Sequence, residues 1–142
     1  MTITFEWRGT FGNTEVNALH AEGFQHPPLD DDWWAQVNRH SLGWVCARQD
    51  GAATGREAAG LGALAGFVNV AWDGGVHAFL LDTLVTARHR RHGVATRLVA
   101  IATQEARAAG CEWLHVDFED HLRGFYLDAC GFAPTSAGLI AL

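Results

Sequence analysis

Closely spaced cysteines are missing from this sequence. Its three, Cys46, Cys111 and Cys130, are odd in number, far apart and set among apolar residues. That disfavours a disulfide framework or a cysteine-built metal site, and predicts reduced, buried thiols in a cytoplasmic protein. No apolar run reaches the roughly 20 residues of a membrane span, so no membrane partner is expected. Met1 leads straight into polar, strand-like residues, with no secretory signal visible. Positive charge is scarce as well: 10 Lys and Arg stand against 16 Asp and Glu, a formal charge of −6. An acidic body disfavours loose attachment to nucleic acid or to an anionic membrane. Two familiar phosphate loops are absent too. There is no G-x-x-x-x-G-K-[ST], and no G-x-G-x-x-G follows a strand.

What is present is 142 residues, 49% of them hydrophobic, enough for one domain over residues 1–142 with a real core. Residues 3–8 alternate and stop at Gly9, as a first strand does. Asn13 is placed to cap a helix through Val16 and Leu19 to Gly23. Pro27-Pro28 breaks the chain, and Asp30-Asp31-Asp32 then starts a short helix bearing Trp33, Trp34 and Val37. Strands are predicted over residues 42–48 and 61–72, with a flexible Gly/Ala loop over 49–60 between them. After the turn Asp73-Gly74-Gly75, residues 76–86 are almost continuously apolar, which predicts a central strand buried on both faces. A helix over about 94–109 puts Val94, Leu98, Ile101 and Ala102 on one side and stops at Gly110. Residues 112–118 alternate Leu114, Val116 and Phe118 with Trp113, His115 and Asp117, another strand. Leu122, Phe125 and Ala129 form the stripe of a short helix ended by Gly131, and a last strand is expected over 139–142. The order βααβββαβαβ predicts an α/β fold, a mixed sheet with helices on both faces, without repeat, linker or second domain.

The densest chemical signal is Arg88-His89-Arg90-Arg91-His92-Gly93-Val94-Ala95, between a strand and a long helix. Exposed amides and the macrodipole already make a helix start positive. Each cation added there costs about 0.3–1 kcal/mol unless an anion binds. A polyanionic ligand, most economically a phosphate group held by arginines and backbone N–H groups, accounts for the cluster. Gly93 lets the backbone approach such a group closely, and Ala95 keeps the next turn small.

Leu81-Asp82-Thr83-Leu84-Val85 followed by Arg90-Arg91-His92-Gly93-Val94-Ala95 resembles the acetyl-CoA-binding motif [Q/R]-x-x-G-x-[G/A] of GNAT-superfamily N-acetyltransferases. Phe125-Tyr126-Leu127-Asp128-Ala129-Cys130-Gly131-Phe132 resembles the family's second signature, F-Y-x-x-x-G-F. Both occur in the family's order, with a helix and a strand between them. The resemblance implies a GNAT-like, mostly antiparallel sheet with two splayed parallel strands, and acetyl-CoA as cosubstrate without a metal. It places the CoA pyrophosphate on the amides of Arg91, His92, Gly93, Val94, Ala95 and Thr96, with Arg90 beside them. Pantetheine would lie along Leu84, Val85 and Thr86, and an N–H near Leu84 or Val85 would steady the oxyanion as an amine attacks.

Tyr126 matches the family's general acid for the leaving sulfur, and it is the only tyrosine beside 8 phenylalanines. On a helix whose other face is buried, its hydroxyl would be aimed at the cleft; the alternative is a packed tyrosine with a satisfied O–H. For the base, His115 stands on the strand where some relatives carry a catalytic glutamate, and a histidine titrates near neutrality. Asp82, His77 and Asp117 are its rivals. The family often has an asparagine seven residues before the tyrosine; this chain has Glu119 there. His115, Asp117, Glu119 and His121 recur at every second position, but same-face strand residues nearly 7 Å apart suit a shared metal poorly. Glu22, Asp30, Asp31, Asp32, Trp33, Trp34, Trp72 and Asp73 would suit a cationic acceptor, or else cap helices and fill the core. The expected activity is acetyl transfer to a primary amine of a small molecule or peptide. The rival is a non-catalytic acyl-CoA sensor. Tryptophans or the terminal strand offer surfaces for a homodimer.

Overall fold

The computed structural model describes residues 2–50 and 61–142. Residues 51–60, most of the loop expected over 49–60, lie outside them, as does Met1. The elements run β1 (Ile3–Trp7), α1 (Asn13–Phe24), α2 (Trp33–His40), β2 (Ser41–Gln49), β3 (Leu64–Trp72), β4 (His77–Val85), α3 (Val94–Ala108) and β5 (Trp113–His115). The sheet order is β1-β2-β3-β4-β5, antiparallel throughout except for the parallel pair β4–β5.

Strand alternation divides the core into two layers. Val45, Ala47, Val68, Val70, Ala78 and Leu80 meet Val94, Leu98, Val99 and Ala102 of α3 on one face. Trp44, Cys46, Phe67 and Leu84 meet Val16 and Leu19 of α1 and Trp33 and Val37 of α2 on the other. Between α1 and the sheet lies one buried ion pair. Arg48 donates to both Glu15 oxygens, at 2.6 and 3.0 Å, and to the carbonyls of Thr10 and Gly62.

Several expectations shift. Gly12, not Asn13, is the cap of α1, and the Glu15 carboxylate accepts its N–H at 2.9 Å. Asn13 instead ties the two helix starts together, accepting from Trp34 N–H and donating to Asp32. β4 is not buried on both faces: Phe79 and Leu81 are exposed, because α1 covers only the far end of the strand, around Leu84. β5 is shorter than predicted, yet Leu114, Val116 and Phe118 still pack inward. The helix expected around Leu122 is a 3-10 turn, Asp120–Leu122, followed by a π-helical turn, Gly124–Ala129. Residues 139–142 form no strand. Leu139 and Ile140 are more than four-fifths exposed, and an extended segment without a neighbour has no ladder to join. Of the cysteines only Cys46 is fully buried, its thiol pushed up to about 12 by desolvation; Cys111 and Cys130 are half-buried.

Candidate active site

The chain leaves β4 through a single 3-10 turn, Ala87–His89, before α3 begins. His89 is buried and pins this turn, bonding Thr86 Oγ1 through Nδ1 and Gln49 Oε1 through Nε2 at 2.6 and 2.9 Å. Burial, with Arg88 and His92 nearby, holds its imidazole below the ordinary histidine range. Arg91 and Gly93 both take left-handed conformations, φ +64 and +78°, which turns the backbone sharply into the helix. No side chain caps α3, and its first internal bond runs from Arg97 N–H to the Gly93 carbonyl. The amides of Val94, Ala95 and Thr96 therefore have no partner within the helix. They open on a cleft of about 260 Å³ lined by Val85, Arg90, Arg91, Gly93, Val94 and Phe125 among others. Arg90 is steadied by a bond from Nε to the Val85 carbonyl. His92 faces a second hollow with Ile3, Phe5 and Arg97, on the other side of the loop.

β4 and β5 pair only from His77↔Trp113 to Phe79↔His115, then part. Thr86 N–H bonds to the Ala65 carbonyl on the β3 side. Neighbouring strand amides point to opposite edges, so that of Val85 faces the gap toward β5. Leu84 keeps its side chain in the core and offers only backbone.

Opposite Val68, β4 carries a bulge: the register jumps between Leu84↔Phe67 and Leu81↔Asn69. Asp82 sits there at φ +54°, a conformation aspartate tolerates better than most residues. Burial raises its carboxyl above the usual range, while His20 and the Asn69 amide pull it back. His20 Nε2 lies 3.6 Å from Asp82 Oδ1. α1 reaches β4 this closely because Gly23 has no side chain, where a Cβ would stand 3.1 Å from Leu84 Cδ2.

Tyr126 is buried, stacked on Phe118 at 5.0 Å and edge-on to Phe125 and Phe132. The ring is thus part of the core rather than free in the cleft. Its oxygen reaches the Thr83 hydroxyl on β4; desolvation raises the phenol above its ordinary range and that bond partly offsets it. Tyr126 and Asp82 so converge on adjacent residues of one strand. His115 does not join them. It is exposed, 2.7 Å from His77 Nδ1 and stacked on Phe79, about 10 Å of strand rise from Asp82. Its alternation with Asp117, Glu119 and His121 ends with the strand, and among the described residues no three His, Cys, Asp or Glu side chains are grouped to hold a metal.

The acceptor-side carboxylates mostly serve the backbone. Glu22 accepts from Ala87 N–H, Asp32 caps α2 through Ala35, and Asp73 closes its own turn on Gly75. Asn69 and Thr83 carry no local signal in the sequence, because their partners come from other elements.

Solved structures share this architecture. The GNAT family acetyltransferase SP0256 from Streptococcus pneumoniae matches with TM-score 0.71 at 20% identity, over 99% of this chain and 98% of that one. Glucosamine-6-phosphate N-acetyltransferase from Arabidopsis thaliana matches with TM-score 0.69 at 14% identity, over 98% of each chain. The aminoglycoside N-acetyltransferase AAC(6')-Iy, solved with CoA, matches with TM-score 0.67 at 20% identity, over 100% of this chain and 96% of that one. Among curated proteins none matches. Residues 6–132 match the model of the Acetyltransferase (GNAT) family, so the chain belongs to the GNAT acetyltransferases.

Proposed function

We propose that the chain transfers an acetyl group from acetyl-CoA to a primary amine. One observation carries this reading: an uncapped helix start whose free amides face a cleft together with Arg90 and Arg91. Such an end fits a diphosphate through backbone N–H groups and bidentate guanidinium contacts. Leu84, Val85 and Thr86 would line the pantetheine arm, and the Val85 N–H would receive the oxyanion. The thioester supplies the reactive carbonyl. As the amine nitrogen bonds to that carbon and the C–S bond breaks, the Tyr126 hydroxyl gives its proton to the departing sulfur. Its raised phenol keeps that proton available at neutral pH. The proton lost by the amine goes to Asp82, which adjoins Tyr126's partner Thr83 on β4. AAC(6')-Iy, named for aminoglycosides, and the Arabidopsis enzyme, named for an amino sugar, support a small amine as acceptor. Calorimetry with CoA, followed by thiol release against an amine panel, tests the reading. Binding with release supports it, and no binding overturns it. Binding without any release would favour the sensor, a role the packed Tyr126 ring also suits.

A further inference from the structure

Two features of the chain lack partners, and each is what the other needs. The first is the outer edge of β5. β4 lies along one side of that strand, and among the described residues no strand lies along the other. Alternate N–H and C=O groups on the open side therefore have no sheet neighbour. β5 holds none of the lysines, arginines or prolines that discourage pairing at an edge. Trp113 stands there 63% exposed, and Leu114 is only half-buried although it packs against the core. Glu112 and Asp117 flank the strand, so an uncharged guest suits it better than an acidic one.

The second feature is residues 133–142, Ala-Pro-Thr-Ser-Ala-Gly-Leu-Ile-Ala-Leu, whose side chains carry no charge. Phe132 N–H bonds to the Tyr126 carbonyl and anchors the start of this run. Beyond it every residue is exposed, Leu139 by 81% and Ile140 by 86%, and none makes a hydrogen bond, ion pair or ring contact. Pro134 comes early, so each of residues 139–142 keeps an N–H to donate. An open edge beside an exposed tryptophan and a bare apolar segment are both unfavourable in water. One chain supplies both, so two copies related by a two-fold axis satisfy both at once.

We infer that the protein pairs with a second copy of itself, residues 139–142 of each copy lying along the free edge of β5 in the other. Successive strand residues face opposite sides, so one of Leu139 and Ile140 meets Trp113 and the other meets Leu114. β5 is also one wall of the wedge beside β4, so each copy braces the other's cleft from outside. Pairing of this kind does not depend on the acetyl-transfer reading above.

Sedimentation velocity on the full chain without ligand should show a species of twice the chain mass, and a monomer at tens of micromolar overturns the inference. The double variant Leu139→Asp, Ile140→Asp should sediment as a monomer and keep the parent's circular dichroism spectrum, because neither side chain has a partner in its own chain. A variant that still pairs overturns the inference. Should that variant misfold, Trp113→Glu must separate the copies instead. In a sample mixed from isotope-labelled and unlabelled protein, filtered NMR should join Leu139 or Ile140 methyls to the Trp113 indole across copies. Such contacts found only within one copy mean that the segment returns to its own strand, which overturns the exchange.

Discussion

At the scale of single residues, Tyr126 combines two duties that separate cleanly under mutation. Its ring stacks with Phe118, and its hydroxyl alone reaches Thr83. Tyr126→Phe keeps the packing and deletes the proton, so kcat should fall by about 10²–10⁴-fold with CoA affinity nearly unchanged, as steady-state kinetics and calorimetry will show. Asp82 behaves in the opposite sense for stability. Its folded carboxyl is raised above the unfolded value, so its contribution to stability is present at low pH and is lost as pH rises through the folded value. Asp82→Asn removes that loss and suits the left-handed bulge equally well. Urea midpoints should therefore favour the variant increasingly from pH 4 to pH 8, although its turnover drops. His89 has the other sign again. Its ring is held below the ordinary range, so the folded state resists protonation and stability is lost as pH falls below about 6.5. His89→Gln should show a shallower fall in melting temperature between pH 7.5 and pH 5.5 than the parent, and should weaken CoA binding by loosening the arginine turn.

At the scale of elements, the buried Arg48–Glu15 pair fastens α1 to β2 and so sets where His20 meets Asp82. Glu15→Ala removes the carboxylate that balances the buried Arg48 charge and should cost about 3–5 kcal/mol in chemical denaturation. The elements from β1 to α3 are readable from periodicity, those after α3 only in part. α3 shows its apolar stripe and a glycine at each boundary, and Gly93 announces its own left-handed turn. The uncapped, arginine-flanked start of α3 is legible for the same reason, since its signal is local: charges placed against a dipole. The bulge was not. Residues 76–86 read as an unbroken apolar strand, and nothing in that run shows that Val68 will face two residues instead of one. The contact of His20 with Asp82 was equally hidden, because it depends on how α1 crosses the sheet. The distance of His115 from Asp82 is hidden by the same gap: alternation gives its face, but not that β5 leaves β4 at that residue.

At the scale of the whole molecule, the arginine turn is a positive spot on an acidic body, and all 10 of the Lys and Arg residues are arginine. Guanidinium groups suit paired phosphate oxygens better than ammonium does. Electrostatic attraction at an exposed end is screened by salt, with a Debye length of about 10 Å at 0.1 M and about 3 Å at 1 M. CoA affinity should accordingly fall several-fold between 0.05 and 0.5 M NaCl, while pantetheine, which lacks the diphosphate, should bind without that dependence. A flat salt response for CoA would remove the arginines from recognition.

The three-residue ladder of β5 has a consequence for how a guest gets in. Residues 116–132, including the turn that bears Tyr126, are held against the sheet by side-chain packing instead of strand pairing. The wedge can thus widen by tilting that outer leaf alone, as a hinged cover lifts from a bound book, while the four antiparallel strands behind it stay stitched.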